Sequence, residues 1–182
     1  MDLINPAEYD PERHKEFTLA LANTSPDRLN GRWIIDQFGI RFNAKLIRAL
    51  ETHVAPSLPG LRDKTRSALD GIIAGKWNDD LKYFKELHPH SKIQQVYNGG
   101  MLRFAPYYPK AEMERRIRET WCAMSISCGL QEIWDIQEDY RKYNRGRHLK
   151  RCPIHKCGVF HFNNGDYCSR KCRDKAKRRS LS

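Results

Sequence analysis

The sequence predicts an α+β protein, in which a mainly helical N-terminal domain with a short β-hairpin is followed by a small, cysteine-rich C-terminal module. Apolar residues recur at helical spacing in three segments before residue 145, and a fourth segment alternates about an Asn-Gly turn. Four of the six cysteines then fall between residues 152 and 172. A chain of 182 residues can bury one sizeable core and carry one small module besides. We therefore expect two parts, residues 1–145 and residues 146–182, and we call the second part the cysteine module.

Two helices are predicted between residues 44 and 75. In NAKLIRALETHV the apolar residues are spaced by one, three and four positions, and Pro56 and Pro59 follow, so this helix should end before them. LRDKTRSALDGIIAGKW also places its apolar residues on one helical face, with Gly75 near its end. The first 30 residues are polar and interrupted by prolines, which predicts an arm with one short element at FTLALAN.

A hairpin and a long helix are predicted after residue 90. KIQQVYNGGMLRFAPYYP has two short stretches about an asparagine-glycine pair, which is typical of a tight hairpin turn. Apolar residues at steps of four, four, three and four then predict the buried face of a helix: Met113, Ile117, Trp121, Met124 and Cys128. Gly129 follows, at a point where such a helix can bend. Asp79 and Asp80 are assigned to a polar loop, where carboxylates are usually solvated and not catalytic.

Composition indicates a folded protein that does not enter the membrane. Hydrophobic residues make up 40% of the chain and charged residues 30%, as in ordinary folded proteins. No apolar run approaches the roughly 18 residues that cross a bilayer, and the N-terminus lacks the basic start and apolar stretch of a secretory signal. We therefore expect a cytoplasmic protein, in which clustered cysteines bind metal more often than they form disulfides.

The positive charge of the chain is concentrated at its C-terminal end. Residues 140–182 hold fourteen Lys and Arg against two acids, a net charge of +12, whereas the rest of the chain holds 19 basic and 20 acidic residues. A nearly neutral body joined to a strongly basic module predicts a polyanionic partner that meets the C-terminal end. A basic tail that serves only solubility is the simpler alternative.

The spacing of the clustered cysteines predicts a structural zinc site. Cys152 and Cys157 form C-x4-C, Cys168 and Cys172 form C-x3-C, and ten residues separate the two pairs. Zinc prefers four soft or borderline ligands in a tetrahedron, and two close pairs of thiolates supply them. We therefore expect one zinc ion. Four thiolates leave no open coordination position, so the ion would be structural and not catalytic.

The residues around the cysteines predict a treble-clef zinc finger, which consists of a knuckle, a hairpin and a helix that carries the last ligand. Gly158 can take the left-handed conformation that a metal knuckle needs, and VFHF alternates like a strand before the turn residues NNGD. Ser169 stands at an N-cap position. RKCRDKAKRR should therefore begin a helix with Cys172 in its first turn.

The remaining histidines and cysteines nearby have simpler explanations than metal binding. His155 or His161 could replace one of the cysteine ligands, but both are better explained as exposed residues or as residues that face a nucleic acid. Cys122 and Cys128 lie among apolar residues of the long helix, where cysteine behaves as a small hydrophobic residue. We therefore expect them in the core, and a redox or second metal role is the alternative.

The stretch HLKRCPIHKCGVFHFNNGDYCSRKCRDKAKRR resembles the C-terminal zinc finger of the CGNR family, bacterial proteins taken to be transcriptional regulators. The four cysteines match the ligands of that family, and Gly158 and Phe162 match its knuckle glycine and strand aromatic. CRDKAK stands where the family has CGNR-x-K, with Arg173 and Asp174 in place of Gly and Asn. The resemblance implies a DNA-binding regulator whose N-terminal part is an ABATE-like domain that senses a ligand or forms a homodimer.

The basic C-terminal helix is the candidate nucleic-acid interface. A helix with positive charge around most of its circumference fits the DNA major groove, which is about 12 Å wide. The candidate contacts are Arg170, Lys171, Arg173, Lys175, Lys177, Arg178 and Arg179. The last four are expected on phosphates, and the tetrad positions Arg173 and Asp174 on base edges. The function predicted is therefore that of a zinc-dependent DNA-binding protein, a transcriptional regulator.

Other functions stay open at this point. Nothing in the sequence separates DNA from RNA, and a zinc-finger adaptor that binds RNA or protein is the main alternative. An HNH-like treble-clef nuclease is a remote one, in which His161 would activate water beside Asn163 and Asn164. The sequence has no phosphate-binding loop, nucleophile elbow or dinucleotide fingerprint, so we do not expect an enzyme. Five aromatic residues line either a ligand pocket or an ordinary core: Trp33, Tyr97, Tyr107, Tyr108 and Trp134.

Overall fold

The computed structural model describes residues 11–38, 44–87, 92–98, 101–107, 110–154 and 156–179. Within these ranges, the side chains of residues 86–121 and of a few other positions lie outside the description. The chain is mainly helical, contains a short antiparallel hairpin and ends in a cluster of four cysteines. This architecture confirms the predicted α+β class.

Six helices precede the cysteine module in the described part of the chain. They are α1 (Pro11–Asn23), α2 (Gly31–Phe38), α3 (Ala44–His53), α4 (Leu58–Ala74), α5 (Asp79–Leu87) and α6 (Lys110–Tyr143). Short 3₁₀ turns occupy Pro26–Arg28 and Ala55–Ser57. The short element expected at FTLALAN is thus the end of a 13-residue helix. Residues 11–16, expected in an arm, belong to this helix, and the rest of the predicted arm, residues 1–10, lies outside the described residues.

The predicted C-terminal ends of α3 and α4 are confirmed, but the role of Pro59 differs from the prediction. Helix α3 ends at His53, before Pro56, but Pro59 lies in the first turn of α4, where a missing N–H leaves no hydrogen bond unmade. Helix α4 ends at Gly75, whose φ of 66° is left-handed. The guanidinium of Arg141 lies against Gly75 and donates to the carbonyl oxygen of Ile72, which ties the end of α4 to the end of α6.

Helix α5 replaces the polar loop expected around Asp79 and Asp80, so that assignment is wrong. The side chain of Asn78 caps the helix, because its Oδ1 accepts the backbone N–H of Leu81 at 2.8 Å. The two aspartates occupy the first turn, where a negative charge favours the helix dipole. Asp79 is fully exposed, and Asp80 pairs with Lys64 at 3.5 Å.

The predicted hairpin is present as β1 (Lys92–Asn98) and β2 (Met101–Tyr107), which pair antiparallel with Asn98 opposite Met101. This register leaves two residues between the paired strands, the length of connection that the asparagine-glycine signal predicts. Gly99 and Gly100 themselves, and the side chains of both strands, lie outside the described residues.

Helix α6 runs for 34 residues and continues without interruption through Gly129. A Cβ atom at this glycine would lie 2.1 Å from Oγ1 of Thr18 and 2.3 Å from the carbonyl oxygen of His14. Gly129 therefore allows α1 to approach the backbone of α6 closely. Cys128 is buried as predicted. The side chains of the other four residues of the predicted face lie outside the description: Met113, Ile117, Trp121 and Met124.

One hydrophobic core joins the helices to the cysteine module. Its fully buried residues include Leu21 of α1, Leu69 of α4 and Ile133 of α6. The cysteine module contributes Leu149 and Phe160, which are 1% and 2% exposed, to the same core. The module itself contains strands β3 (Lys150–Arg151) and β4 (Phe160–His161), which pair antiparallel, and helix α7 (Arg170–Arg179). Among all described residues, no helix is long and apolar enough to cross a bilayer.

Candidate metal centre

The structure brings together the four cysteines that the sequence singled out. Sγ of Cys157 lies 3.5 Å from that of Cys168, and Sγ of Cys172 lies 3.6 Å from both. The three remaining pairs, which all involve Cys152, lie within 4.8 Å. Thiolates about 2.3 Å from a central zinc ion stand about 3.8 Å apart in a regular tetrahedron. The cluster therefore fits one tetrahedral metal ion.

The first pair of cysteines is held by a knuckle after β3. The backbone N–H of Cys157 donates to the carbonyl oxygen of Ile154 at 2.9 Å, and that of Cys152 donates to Val159 at 2.9 Å. Gly158 has a φ of +56°, the left-handed conformation that was predicted for it. The turn thus directs both thiols to one side of the hairpin.

The second pair is held at the start of α7. Oγ of Ser169 accepts the backbone N–H of Cys172 at 3.3 Å, which confirms the predicted N-cap and places Cys172 in the first turn. Nδ2 of Asn163 donates to the carbonyl oxygen of Cys168 at 2.9 Å. Local hydrogen bonds therefore help to position both ligands.

The closeness of the four thiols also favours a bound cation. Burial and, after it, the neighbouring thiols together raise the pKa of Cys168 to about 12. Burial tends to raise the pKa of Cys152, but hydrogen bonds from the backbone of Cys168 and Ile154 and from the thiols of Cys157 and Cys168 together outweigh it and lower this pKa to about 7. Four thiolates this close repel one another unless a cation lies between them. All six cysteines are free of disulfides.

The histidines do not join the cluster in the described part of the chain. His161 is 8% exposed, and its Nδ1 accepts the backbone N–H of Asn163 at 3.3 Å. The expectation that it is exposed or faces a nucleic acid is therefore wrong, because β4 is buried on both faces. Burial lowers the pKa of His161. His155 lies outside the described residues.

Cys122 and Cys128 are core residues of α6, as predicted. They are 1% and 7% exposed. Burial raises the pKa of Cys122 to about 12 and that of Cys128 to about 11, so both thiols stay protonated at neutral pH.

Strand β4 of the cysteine module is hydrogen-bonded to α1. Oδ1 of Asn23 accepts the backbone N–H of Phe160 at 2.8 Å, and its Nδ2 donates to the carbonyl oxygen of Phe160 at 2.9 Å. The side-chain amide of Asn23 therefore makes the same two kinds of hydrogen bond to Phe160 that the backbone of a neighbouring strand would make. On the other side of the core, the backbone N–H of Leu149 donates to Oε1 of Gln137 at 2.9 Å.

Arginine side chains complete this attachment. Nη2 of Arg66 donates to the carbonyl oxygen of Gly158 at 3.0 Å, while Nη1 donates to that of Ala22 at 2.6 Å. Arg151 pairs with Asp70 of α4 at 2.8 Å. The cysteine module is thus bonded directly to α1 through β4 and to α4 through the knuckle. Sequence reasoning missed Asn23 and Arg66, because nothing in their local sequence indicates partners 137 and 92 residues away.

The predicted basic helix is present as α7 and contains no buried residue. All seven of its predicted nucleic-acid contacts are exposed: Arg170, Lys171, Arg173, Lys175, Lys177, Arg178 and Arg179. Asp174 lies 3.9 Å from Arg170 across one turn and offsets one of these charges weakly. Helix α7 therefore presents a dense positive surface beside the cysteine cluster.

One of the five aromatic residues considered for a ligand pocket lines a cavity. This cavity, of about 190 Å³, lies between α5 and α6, and its wall includes Trp134, Trp77 and Phe84. Trp33 packs instead against Phe17 at a ring distance of 5.7 Å. The side chains of Tyr97, Tyr107 and Tyr108 lie outside the description.

The fold and the site together define an α+β protein with a four-cysteine centre that can hold one metal ion. Comparison with known proteins adds no family to this description, because no family model and no curated protein matches the chain. Membership of the CGNR family stays a prediction that rests on residues 148–179.

Proposed function

We propose that this chain is a zinc-dependent DNA-binding protein, a transcriptional regulator of the CGNR type whose zinc ion is structural. The observation that supports it best is helix α7, in which seven exposed basic side chains share ten residues with the ligand Cys172. The N-terminal helices would sense a ligand or form a homodimer, as the family resemblance implies.

Zinc is the metal that this set of donors favours. Four thiolates are soft ligands, and a closed tetrahedral set of them is typical of structural zinc. The bound ion would crosslink the knuckle to the start of α7. Because the cysteines occupy every coordination position, we propose no catalytic role for the ion.

The proposed interface is electrostatic in its main part. Side chains such as Lys175 and Arg178 would neutralise phosphates, and each neutralised phosphate releases counterions from the DNA. If six to eight phosphates are engaged, affinity should fall by about three orders of magnitude between about 50 and 200 mM salt. Arg173, at the tetrad position, would be free to reach a base edge.

The nuclease alternative gains no support from the site. It needs His161 to activate a water molecule, but this histidine is buried and its Nδ1 already accepts a backbone N–H. Binding to RNA or to a protein would use the same basic helix. The binding experiments below include this result among their outcomes.

Titration of labelled duplex DNA at several salt concentrations tests the proposal. The test variant replaces Lys175, Lys177, Arg178 and Arg179 with Gln. The control removes the same charge from the part of the chain before the cysteine module, where Arg32, Arg48, Lys76 and Lys82 are also exposed. The α7 variant should reduce the slope of log affinity against log salt by about 3 to 4, and the control should leave it unchanged.

Metal content and competition complete the experiment. Mass spectrometry of the native protein should find one zinc ion per chain. Equal DNA binding by the α7 variant and its control would refute the proposed interface. Tighter binding of RNA, in competition at fixed salt, would replace DNA by RNA as the partner.

A further inference from the structure

A second exposed, basic segment lies at the junction of α6 and the cysteine module. Residues 143–147 are all exposed, and no acid occurs between Asp139 and Asp166. Tyr143, the last residue of α6, is 57% exposed. Nζ of Lys142 lies 5.0 Å from the centre of its ring. Arg145 and Arg147 follow within four residues. An exposed aromatic ring therefore lies in a segment that carries Lys142, Arg145 and Arg147 and no acid.

This segment is fixed at both ends. The backbone N–H of Asn144 donates to the carbonyl oxygen of Tyr140 at 2.7 Å, which closes the last turn of α6. At the other end, Leu149 is buried in the core, and the ring of His148 stacks on that of Tyr140 at 3.7 Å. Tyr143 is therefore held in place by the fold, so little ordering would be needed on binding.

Tyr143 differs from the other exposed large hydrophobic residues of the described chain. Trp77 packs against Trp134 at 4.7 Å, and Tyr83 packs edge-on against Phe84 at 5.2 Å. Among the described side chains, the ring contact of Tyr143 is with Lys142 alone. One cation covers one face of a ring, which leaves the opposite face open for a planar group.

The charges around Tyr143 define the chemistry of that group. Lys142, Arg145 and Arg147 form no ion pair with any acid in the described part of the chain. A partner that combines planar rings with closely spaced negative charges is an unpaired nucleotide strand, in which bases stack on aromatic residues and phosphates meet Lys and Arg. Bases within a duplex are stacked on each other and cannot offer a free face.

We propose that Tyr143, with Lys142, Arg145 and Arg147, is a stacking site for an unpaired base of the nucleic acid whose duplex binds α7. This inference rests on the proposed function and extends it, because it assigns the partner class as DNA with a single-stranded stretch beside a duplex. The ring of Tyr143 stacks on the base, and the three cations contact the phosphates on either side of it.

Fluorescence anisotropy with two probes tests the site. One probe is a short blunt duplex, and the other is the same duplex with a single-stranded overhang. Tyr143→Ala should weaken binding of the overhang probe by about 5- to 150-fold, the range expected for loss of one base stack. Binding of the blunt duplex should change by less than about twofold. Tyr143→Phe should bind both probes like the wild type, because stacking uses the ring and not the hydroxyl.

A matched control and a direct contact make the outcome decisive. Tyr83 is also exposed and lies under a lysine, Lys64, at 4.7 Å, so Tyr83→Ala should leave both affinities unchanged. Photocrosslinking from a halogenated base in the overhang should label the peptide that contains Tyr143. If the blunt duplex binds with the expected salt dependence but the overhang adds nothing, only the stacking site is refuted. If neither probe binds, the proposed function fails with it.

Discussion

Replacing Asn23 with Ala should weaken the attachment of the cysteine module to the N-terminal helices. The side chain of Asn23 makes two hydrogen bonds to the backbone of Phe160, and Phe160 is 2% exposed. Leaving a buried N–H without a partner costs about 1–3 kcal/mol, and loss of the second bond costs about 1 kcal/mol. Asn23→Ala should therefore lower the free energy of unfolding of the metal-loaded protein by about 2–4 kcal/mol.

The same substitution should also weaken metal binding. Strand β4, which Asn23 holds, pairs with β3, and Cys152 directly follows β3. Part of the lost free energy should therefore appear as lower metal affinity, since binding of the ion and order of the module are linked. Urea unfolding measures the first effect, and competition with a chelator of known affinity measures the second.

Asn164→Ala is the matched control, because Asn164 is exposed and its side chain bonds to no described residue. It should leave both quantities within about 0.5 kcal/mol of the wild type. If Asn23→Ala changes neither the free energy of unfolding nor the metal affinity, the module is not anchored through α1. The coupling between the contacts of Phe160 and metal binding is then wrong as well.

Three further predictions concern packing and thiol chemistry. Gly129→Ala should destabilise the protein by about 1–3 kcal/mol or more in urea unfolding, because its Cβ would overlap α1, whereas Gly60→Ala, with open space around it, should be neutral or stabilising. Gly158→Ala should cost about 1–2 kcal/mol and lower metal affinity, since its φ is left-handed and Arg66 lies 3.1 Å from the added atom; unchanged affinity would contradict this. Alkylation at neutral pH, counted by mass spectrometry, should modify the four cluster thiols after chelation, because the module then loses the order that the ion gives it, but neither Cys122 nor Cys128 before denaturation, because both are buried in the core. Early labelling of either residue would show that α6 is less tightly packed than described.

Features with local signals could be predicted from the sequence. Gly75 ends α4, Ser169 caps α7, and β1 pairs with β2 on either side of an asparagine-glycine signal, because each feature depends on the conformational preferences of one or two residues. The metal cluster also has a local signal, since the four ligands lie within 21 residues and their spacing alone limits how this segment can fold. Helix α5 also has a local signal, with Asn78 as its N-cap and two aspartates in its first turn. From the sequence it is assigned to a loop, because the helix is too short to show a clear apolar periodicity.

Features that depend on distant contacts could not be predicted in this way. His161 is buried because β4 is covered on both faces, and that cover comes in part from α1, more than a hundred residues earlier in the chain. The alternation of VFHF indicates one buried and one exposed face, which is the usual arrangement of a strand on the surface. The attachment of the module by Asn23 and Arg66 likewise joins residues whose own neighbours give no sign of it.

Helix α7 combines a high density of positive charge with little internal support. It has ten residues and none is buried, whereas helices shorter than about 12–15 residues are marginal in water. Like charges four positions apart, such as Lys171 with Lys175, oppose it further. Its order must therefore come from the ligand pair at its first turn. Without metal, the chain would still attract polyanions, because that attraction needs only net charge. It would lose the fixed shape of α7, on which any selectivity among polyanions depends.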